Sequence, residues 1–373
     1  MAGCVSHGTR ACIACWHAGV MLTTSTLTDT AGDPFDLIVD REAGWAVLSL
    51  PPGVTGVGVD ARVVAAMAAE TGSLAGPAGR AGAGRPRSLS PARYGAGVRP
   101  IDVLHLGRER VICCWQVGDV LVDPGPESSI QTVLDALGDE RPRALLLTHI
   151  HLDHAGATGA LVRRWPDLEV WVHEIGAPHL IDPSKLLSSA ARLYGDDMQR
   201  LWGDVVPVPE ANIRVLRGGE TVDGFEVAYT PGHASHHVSY LHGESGTAFV
   251  GDVAGVRIPP SRFTLPPTPP PDIDIPAWHD SIETVRGWDP ARLALTHFGP
   301  VGDVSEHLAT VDRLLDSWAA LAAELDEEEF VARVREEIES ATDYETARAF
   351  LQALPPNQTY LGLERYWRKR AAA

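Results

Sequence analysis

The pattern of apolar and polar positions changes character near Val98. Beyond it, "RVICCWQVGDVLVDPG" reads as two strands about a Gly-Asp turn, the second ending at Asp123. "SSIQTVLDALG" repeats its apolar positions every 3.6 residues between a serine and a glycine, which predicts a capped helix. "RALLLTH" is a short, continuous apolar run, the pattern of a strand covered on both faces. A helix is predicted in "GATGALVRRW", a strand in "LEVWVHE" and a helix around "SKLLSSAARLYG". "FEVAYTPGH", "HHVSYLHGESGTAFVGD" and "ARLALTHFG" supply further strands. From about Val301 the chain is helical and acidic: "VSEHLATVDRLLDSWAALAAEL" and "EEEFVARVREEIESA" are amphipathic, and "YLGLERYWRKR" follows.

Residues 1–97 lack this texture. "TTSTLTDTAGD" and "GSLAGPAGRAGAGRPRSLSPARYGAG" are small, Gly/Pro/Ser-rich and aperiodic, so the segment is expected to be low-complexity and largely disordered. Within it, "FDLIVDREAGWAVLSL" predicts a hairpin and "DARVVAAMAAE" a short helix. Cys4, His7, Cys12, Cys15 and His17 loosely follow a zinc-knuckle spacing, but no downstream pair completes a site, and the flexible reading is preferred. The expected organisation is therefore 1–97, a strand-rich domain over 98–300, and a helical region over 301–373.

Composition narrows the function classes. The chain is 45% hydrophobic and 21% charged, ordinary for a globular protein, and holds no apolar run long enough to span a bilayer. A formal charge of -18 argues against a nucleic-acid surface, which needs clustered cations. Five cysteines, with Cys113 and Cys114 adjacent in an apolar run, read as free thiols of a reducing, cytoplasmic compartment. "RACIACWHAGVML" lacks a clear small-residue cleavage site, so no signal peptide is expected.

The chemistry concentrates in "LLLTHIHLDHAGAT". His149 and His151 alternate along an extended segment, so both side chains reach the same side. Asp153 and His154 follow where the chain turns into a helix. Imidazole and carboxylate are the usual ligands of zinc and other borderline divalent metals, and this loop has donors for two ions. His233, Asp252 and His297 each follow a predicted strand, so they recur in the same structural position. Strand ends converge on one edge of a sheet, where sites on layered folds commonly lie.

On these residues the sequence resembles the metallo-β-lactamase superfamily. The His-x-His-x-Asp-His motif stands as His149, His151, Asp153 and His154, with the later His, Gly-Asp and final His at His233, Gly251-Asp252 and His297. The resemblance covers about 98–300 and implies an α/β fold: a four-layer αβ/βα sandwich with metals at one edge, here with a C-terminal helical extension. It implies one ion on His149, His151 and His233, a second on Asp153, His154 and His297, and Asp252 bridging them. Two divalent ions, zinc first with iron or manganese as alternatives, would hold a hydroxide that Asp153 orients, making Asp153 the catalytic residue. Asp123 matches a carboxylate behind the metal ligands; a turn-forming Asp before Pro is the equal alternative. In "TPGHASHHVSY" a His stands where many members have Gly, so His236 is expected to be partly exposed and His237 to back the ligands without joining them.

Within the superfamily the likeness leans to glyoxalase II-like hydrolases, carried by "VHEIGAPHLIDPSKL", "PPTPPPDIDIPAWHDSI" and "LTHFG". It implies hydrolysis of a small thioester or ester. A lactonase, or an iron-dependent persulfide dioxygenase on the same fold, stays open beside it. The partner is a small molecule, with an anionic thioester favoured; neither nucleic acid nor membrane is expected, and a homodimer is left open. Substrate contacts are sought at His173, beyond the strand "VWV", and at Arg365 and Arg368 in "ERYWRKR", with a packing histidine and a solvated tail as the bland alternatives. The Pro-rich run Pro259 to Pro276 is expected to wall the site.

Overall fold

A computed structural model describes residues 97–372 and, before them, three strands: β1 (Leu22–Thr28), β2 (Pro34–Asp40) and β3 (Trp45–Ser49). These pair antiparallel in the order β1-β2-β3, so the expected hairpin is β2–β3 and carries a third strand. They belong to a unit of their own, Met1–Pro86, distinct from the unit Arg87–Ala373. The expected disorder of "TTSTLTDTAGD" is corrected over Thr23–Thr28, which lie in β1; the helix expected in "DARVVAAMAAE", the second low-complexity stretch and the Cys4–His17 cluster lie outside the described residues.

The second unit is built on two six-stranded sheets. The first runs β4 (Val98–Asp102), β5 (Cys113–Val117), β6 (Val120–Val122), β7 (Ala144–Leu146), β8 (Glu169–His173), β9 (Ile213–Leu216). β4 to β6 are antiparallel and β6 to β9 parallel. The central strands β5, β6 and β7 are buried throughout, which is why their sequences are apolar but for Gln116 of β5. The second sheet runs β10 (Thr221–Val222), β11 (Phe225–Tyr229), β12 (Val238–His242), β13 (Thr247–Gly251), β14 (Arg292–Leu295), β15 (Gly299–Val301), with β13–β14 the parallel pair. β11 lies one strand in from the edge and alternates over its first four residues, with Phe225 and Val227 buried, Glu226 exposed and Ala228 half-buried.

The sheets share one core, with Trp115 of β5 edge-on to Phe249 of β13. Polar tips cross between them to strand carbonyls: Trp115 Nε1 donates to Leu295 O (3.1 Å) and Tyr240 Oη to Leu147 O (2.8 Å). Helix α1 (Ile130–Leu137) is where the 3.6-residue repeat predicts it and ends at left-handed Gly138. Its expected serine cap is absent: Ser129 makes no side-chain capping bond, because a 3-10 turn, Glu127–Ser129, leads directly into the helix.

Short helices α2 (Leu152–Ala155), α3 (Thr158–Arg164), α4 (Ala177–Ile181), α5 (Ser184–Tyr194) and α6 (Met198–Trp202) follow β7 and β8. Helix α7 (Ile275–Gly287) precedes β14. The C-terminal helices are α8 (Val304–Glu324), α9 (Glu327–Ala341), α10 (Tyr344–Ala353) and α11 (Pro356–Ala371). A boundary at residue 300 cuts through β15, and Val311, Leu315, Phe350 and Leu363 join the common core; the C-terminal helices are an extension of the sheet domain. No helix among the described residues is long and apolar enough to cross a membrane.

Helix α11 meets the Pro-rich segment at Gly362, where a Cβ would collide with the Thr268 carbonyl oxygen, while Thr268 Oγ1 donates to Thr359 O (3.2 Å). Filling this contact forces helix and loop apart. Gly362→Val is expected to destabilise the protein by about 1–3 kcal/mol. A urea-unfolding midpoint that stays at the wild-type value would show that α11 does not pack here in solution.

Candidate metal centre

Four backbone excursions build the site. Beyond β7 the chain bends at Thr148, passes through His149, and enters α2 after His151, the helix that carries Asp153 and His154. His233 lies in the β11–β12 loop, Asp252 follows β13 and His297 follows β14. Gly251 is left-handed (φ 45°), and a Cβ there would meet Thr148 Oγ1 and, at 2.7 Å, His237 Nε2; only glycine lets β13 bring Asp252 so close to β7.

All seven side chains converge. His149, His151 and His233 form one group with ligand atoms within 4.8 Å of one another; Asp153, His154 and His297 form another; Asp252 joins His149 and His154 in a third. His151 Nδ1 lies 2.9 Å from His149 Nε2 and 3.0 Å from His233 Nε2. The two Asp252 oxygens divide between the groups: Oδ2 is 3.4 Å from His233 Nε2, and Oδ1 is 3.3 Å from His154 Nε2 and 3.7 Å from His297 Nε2. Asp153 Oδ2 lies 3.3 Å from His297 Nε2.

The outer ring nitrogens are engaged from behind. His154 Nδ1 meets Asp123 Oδ2 (2.8 Å), His233 Nδ1 the carbonyl of Pro267 (2.8 Å), His297 Nδ1 the carbonyl of Val111 (2.7 Å), and His149 Nδ1 Thr148 Oγ1 (3.1 Å). A proton on Nδ1 leaves the Nε2 lone pair directed inward, the tautomer a metal ligand needs. His154 Nε2 and Asp252 Oδ1 are buried, and neither is hydrogen-bonded. Buried unpaired polar atoms are costly, and a cation between them would satisfy both. Five imidazoles and two carboxylates are the donor set of a borderline divalent metal, so the residues fit such ions.

Burial, with neighbouring imidazoles, pushes His149 well below the ordinary histidine range, and burial beside His233 takes His151 down to about 3. Burial alone would raise Asp153 and Asp252, but His154 and His297 hold both carboxylates below their usual range. The reciprocal attraction raises His154 and His297 against their own burial. The centre thus pairs a neutral triple imidazole with ionised carboxylates.

Asp123 is fully buried behind this group and takes Thr148 N, Thr148 Oγ1, Thr296 Oγ1 and His154 Nδ1 at 2.7–2.9 Å. His237 stands behind Asp252, with Asp252 N 3.3 Å from its Nε2 and Thr230 Oγ1 2.9 Å from its Nδ1. The expected partial exposure of His236 is corrected: the residue is buried, its ring stacked 12° from parallel on His149 with centroids 6.1 Å apart.

A cavity of about 570 Å³ opens on Asp153, Asp252 and His297. Pro267 and Pro269–Pro271 line it, so the Pro-rich run walls the site. Arg365 lines it too, while its Nε donates to the Pro271 carbonyl (3.1 Å), which Lys369 Nζ also reaches (3.1 Å). Neither of the other expected substrate residues lines the cavity. His173 is buried and stacked on Tyr229 (4.4 Å, 5°), and Arg368 pairs with Glu364 (3.4 Å) one turn back on α11. The sequence reading missed His105, Tyr194 and Trp202, which line the cavity from the turn after β4 and from α5 and α6; nothing local marks them, since their partners lie far along the chain.

Residues 118–297 match the family model described as the metallo-beta-lactamase superfamily. The chain is 29% identical over 208 residues to a metallo-beta-lactamase fold-containing protein of Sulfurisphaera tokodaii, covering 53% of this chain and 76% of that one. It is 31% identical over 135 residues to the hydroxyacylglutathione hydrolase GloC of Haemophilus influenzae, covering 36% of this chain and only 59% of that protein. Among solved structures, an archaeal metallo-beta-lactamase superfamily protein from Sulfolobus tokodaii aligns with a TM-score of 0.53 at 22% identity, over 72% of this chain and 98% of that one, a likeness of fold. Residues 118–297, the segment that holds all seven converging side chains, are a metallo-beta-lactamase superfamily domain.

Proposed function

We propose that this protein is a dinuclear metal-dependent hydrolase of small thioesters or esters. The observation that carries the reading is the division of Asp252, one oxygen toward His233 and the other toward His154 and His297. His149, His151, His233 and Asp252 would hold one ion, and Asp153, His154, His297 and Asp252 the other, with zinc the first expectation. When bound, such ions supply Lewis acidity, which polarises an acyl carbonyl and makes water a nucleophile near neutral pH. The complete second group favours this over single-iron chemistry. The identity with a relative named hydroxyacylglutathione hydrolase supports a thioester as the substrate class.

The remaining work falls to the chain's own residues. Asp153 has the most exposed side chain of the two carboxylates, 23% against 5% for Asp252, and faces the cavity. Held ionised, it can orient the attacking water and accept its proton. Addition of that water to the acyl carbon and cleavage of the carbon–sulfur or carbon–oxygen bond release an acid and a thiol or alcohol, which takes up a proton. Ile112, Leu186, Leu193 and the proline wall keep the cavity apolar around this step, and its volume suits a small molecule. Arg192 and Arg365 line the cavity and make no ion pair among the described residues, so an anionic end of the substrate has two cations to meet.

Three outcomes test these roles. Asp252→Asn replaces a two-oxygen bridge by an amide and is expected to lower bound metal below two equivalents and to abolish hydrolysis; full metal content with unchanged turnover would remove the bridge. Asp123→Asn disturbs the partner of His154 and is expected to weaken divalent-metal affinity about 10–100-fold in a chelator competition. Arg365→Gln is expected to raise KM for an anionic thioester and leave that of a small neutral ester unchanged; parallel KM values before and after the substitution would dismiss the anchor.

A further inference from the structure

We propose that His105 and Trp202 form a subsite for an uncharged oxygen acceptor, a ketone or amide carbonyl, carried on the substrate beside its scissile bond. The inference rests on the hydrolase reading for the word substrate, but its own grounds are separate. Both rings line the cavity that opens on Asp153 and His297. They stack nearly parallel, 8° apart with centroids at 5.6 Å. His105 Nδ1 and Trp202 Nε1 are buried, and neither has a hydrogen-bond partner. Leaving such a group unpaired costs about 1–3 kcal/mol, so two on one stacked pair call for a reason. The ligand-type histidines nearby offer a contrast: His149, His154, His233 and His297 each have Nδ1 engaged.

The backbone around the pair is built to hold it. His105 sits in a 3-10 turn, His105–Gly107, between two left-handed leucines, Leu104 (φ 51°) and Leu106 (φ 53°). Each left-handed non-glycine residue costs about 1–2 kcal/mol and persists only where its surroundings enforce it. Here Asp102 enforces it, accepting from Leu104 N (3.1 Å) and Arg110 N (2.7 Å), and Gln352 of α10 donates to the His105 carbonyl (2.8 Å). Trp202 ends α6 and lies edge-on to Tyr194 (5.0 Å). The backbone that carries the pair is thus braced by β4, α5 and α10, while the ring torsions themselves stay free to adjust.

The chemistry selects the ligand. Tryptophan can only donate. Burial pushes His105 down to about 4, so at neutral pH its ring is uncharged and donates from one nitrogen. No cation belongs to the pair, and among the charges that reach His105 the carboxylate of Asp153 acts most strongly, against His297 and Arg200. A neutral carbonyl oxygen is the group that two neutral donors match. The broad side-chain torsion of both rings lets the nitrogens turn to the ligand as it enters.

The test uses two thioethers of 2-mercaptoethanol, S-(3-oxobutyl) and S-butyl, which differ by one carbonyl, contain no other, and cannot be hydrolysed. Calorimetric titration of the metal-loaded full chain is expected to give about tenfold tighter binding of the oxo probe, the size of one added hydrogen bond. His105→Phe and Trp202→Phe keep the stacked rings and remove the nitrogens; each is expected to reduce the preference, with the butyl probe bound as before. His105→Asn, which restores a donor near Nδ1, is expected to recover part of it. Equal wild-type binding of the two probes, no binding of either, or a preference that survives in both phenylalanine variants would overturn the subsite. Because the probes are not substrates, a protein that hydrolyses no ester loses the hydrolase reading while the binding ratio still decides this one.

Discussion

One buried carboxylate ties the two sheets together beneath the cluster of seven metal-type side chains. Asp123 ends β6 in a left-handed conformation (φ 47°), and its oxygens gather the backbone and hydroxyl of Thr148, the hydroxyl of Thr296 and the Nδ1 of His154. Thr148 precedes His149 at the end of the first sheet, and Thr296 precedes His297 at the end of the second. A carboxylate stripped of water is tolerable only when its lone pairs are filled, and the residues that fill them are neighbours of ligand-type histidines in both sheets. Folding that satisfies Asp123 therefore assembles the centre at the same time. The left-handed backbone at Asp123 is offset by this buried network, which draws its donors from both sheets.

The sequence made one class of feature legible and hid another. His149, His151, Asp153 and His154 lie within six positions, so their convergence is a matter of local geometry. Asp252 and His297 follow apolar runs that end on the same edge of the second sheet, and strand polarity carries them there. The long apolar runs and the acidic C-terminal helices were readable for the same reason: period and burial are local properties. His236 was misread because its burial comes from stacking on His149, 87 positions earlier, which no neighbouring residue announces. His105 and Trp202 were invisible for the same cause. In "ERYWRKR" the spacing places Arg365 and Lys369 on one helical face, but their shared partner is the carbonyl of a proline, and a carbonyl has no signature in sequence.

Electrostatics and packing divide the labour in this domain. The centre is a dense group of titratable side chains whose protonation is set by mutual contact: three neutral imidazoles on one side, carboxylates facing raised imidazoles on the other. Around it the cavity is held by shape, with prolines, Leu186, Leu193 and Trp202 supplying walls that need no charge. A low-dielectric wall strengthens every interaction inside it, so the apolar surroundings amplify what the charged groups do.

The proline wall has a consequence for how such a protein diverges. Prolines have no amide hydrogen, so the segment cannot pair with itself, and its carbonyls are left to accept from elsewhere. Pro271 accepts from the C-terminal helix, while Pro267 accepts from His233. Helices α5, α6, α10 and α11 shape the cavity without contributing any of the seven converging side chains. Those helices and the outer prolines can be rewritten over generations, reshaping the cavity, while the seven converging side chains are inherited intact. The Pro267 carbonyl is the hinge between the two inheritances, since a shift there reaches the tautomer of His233.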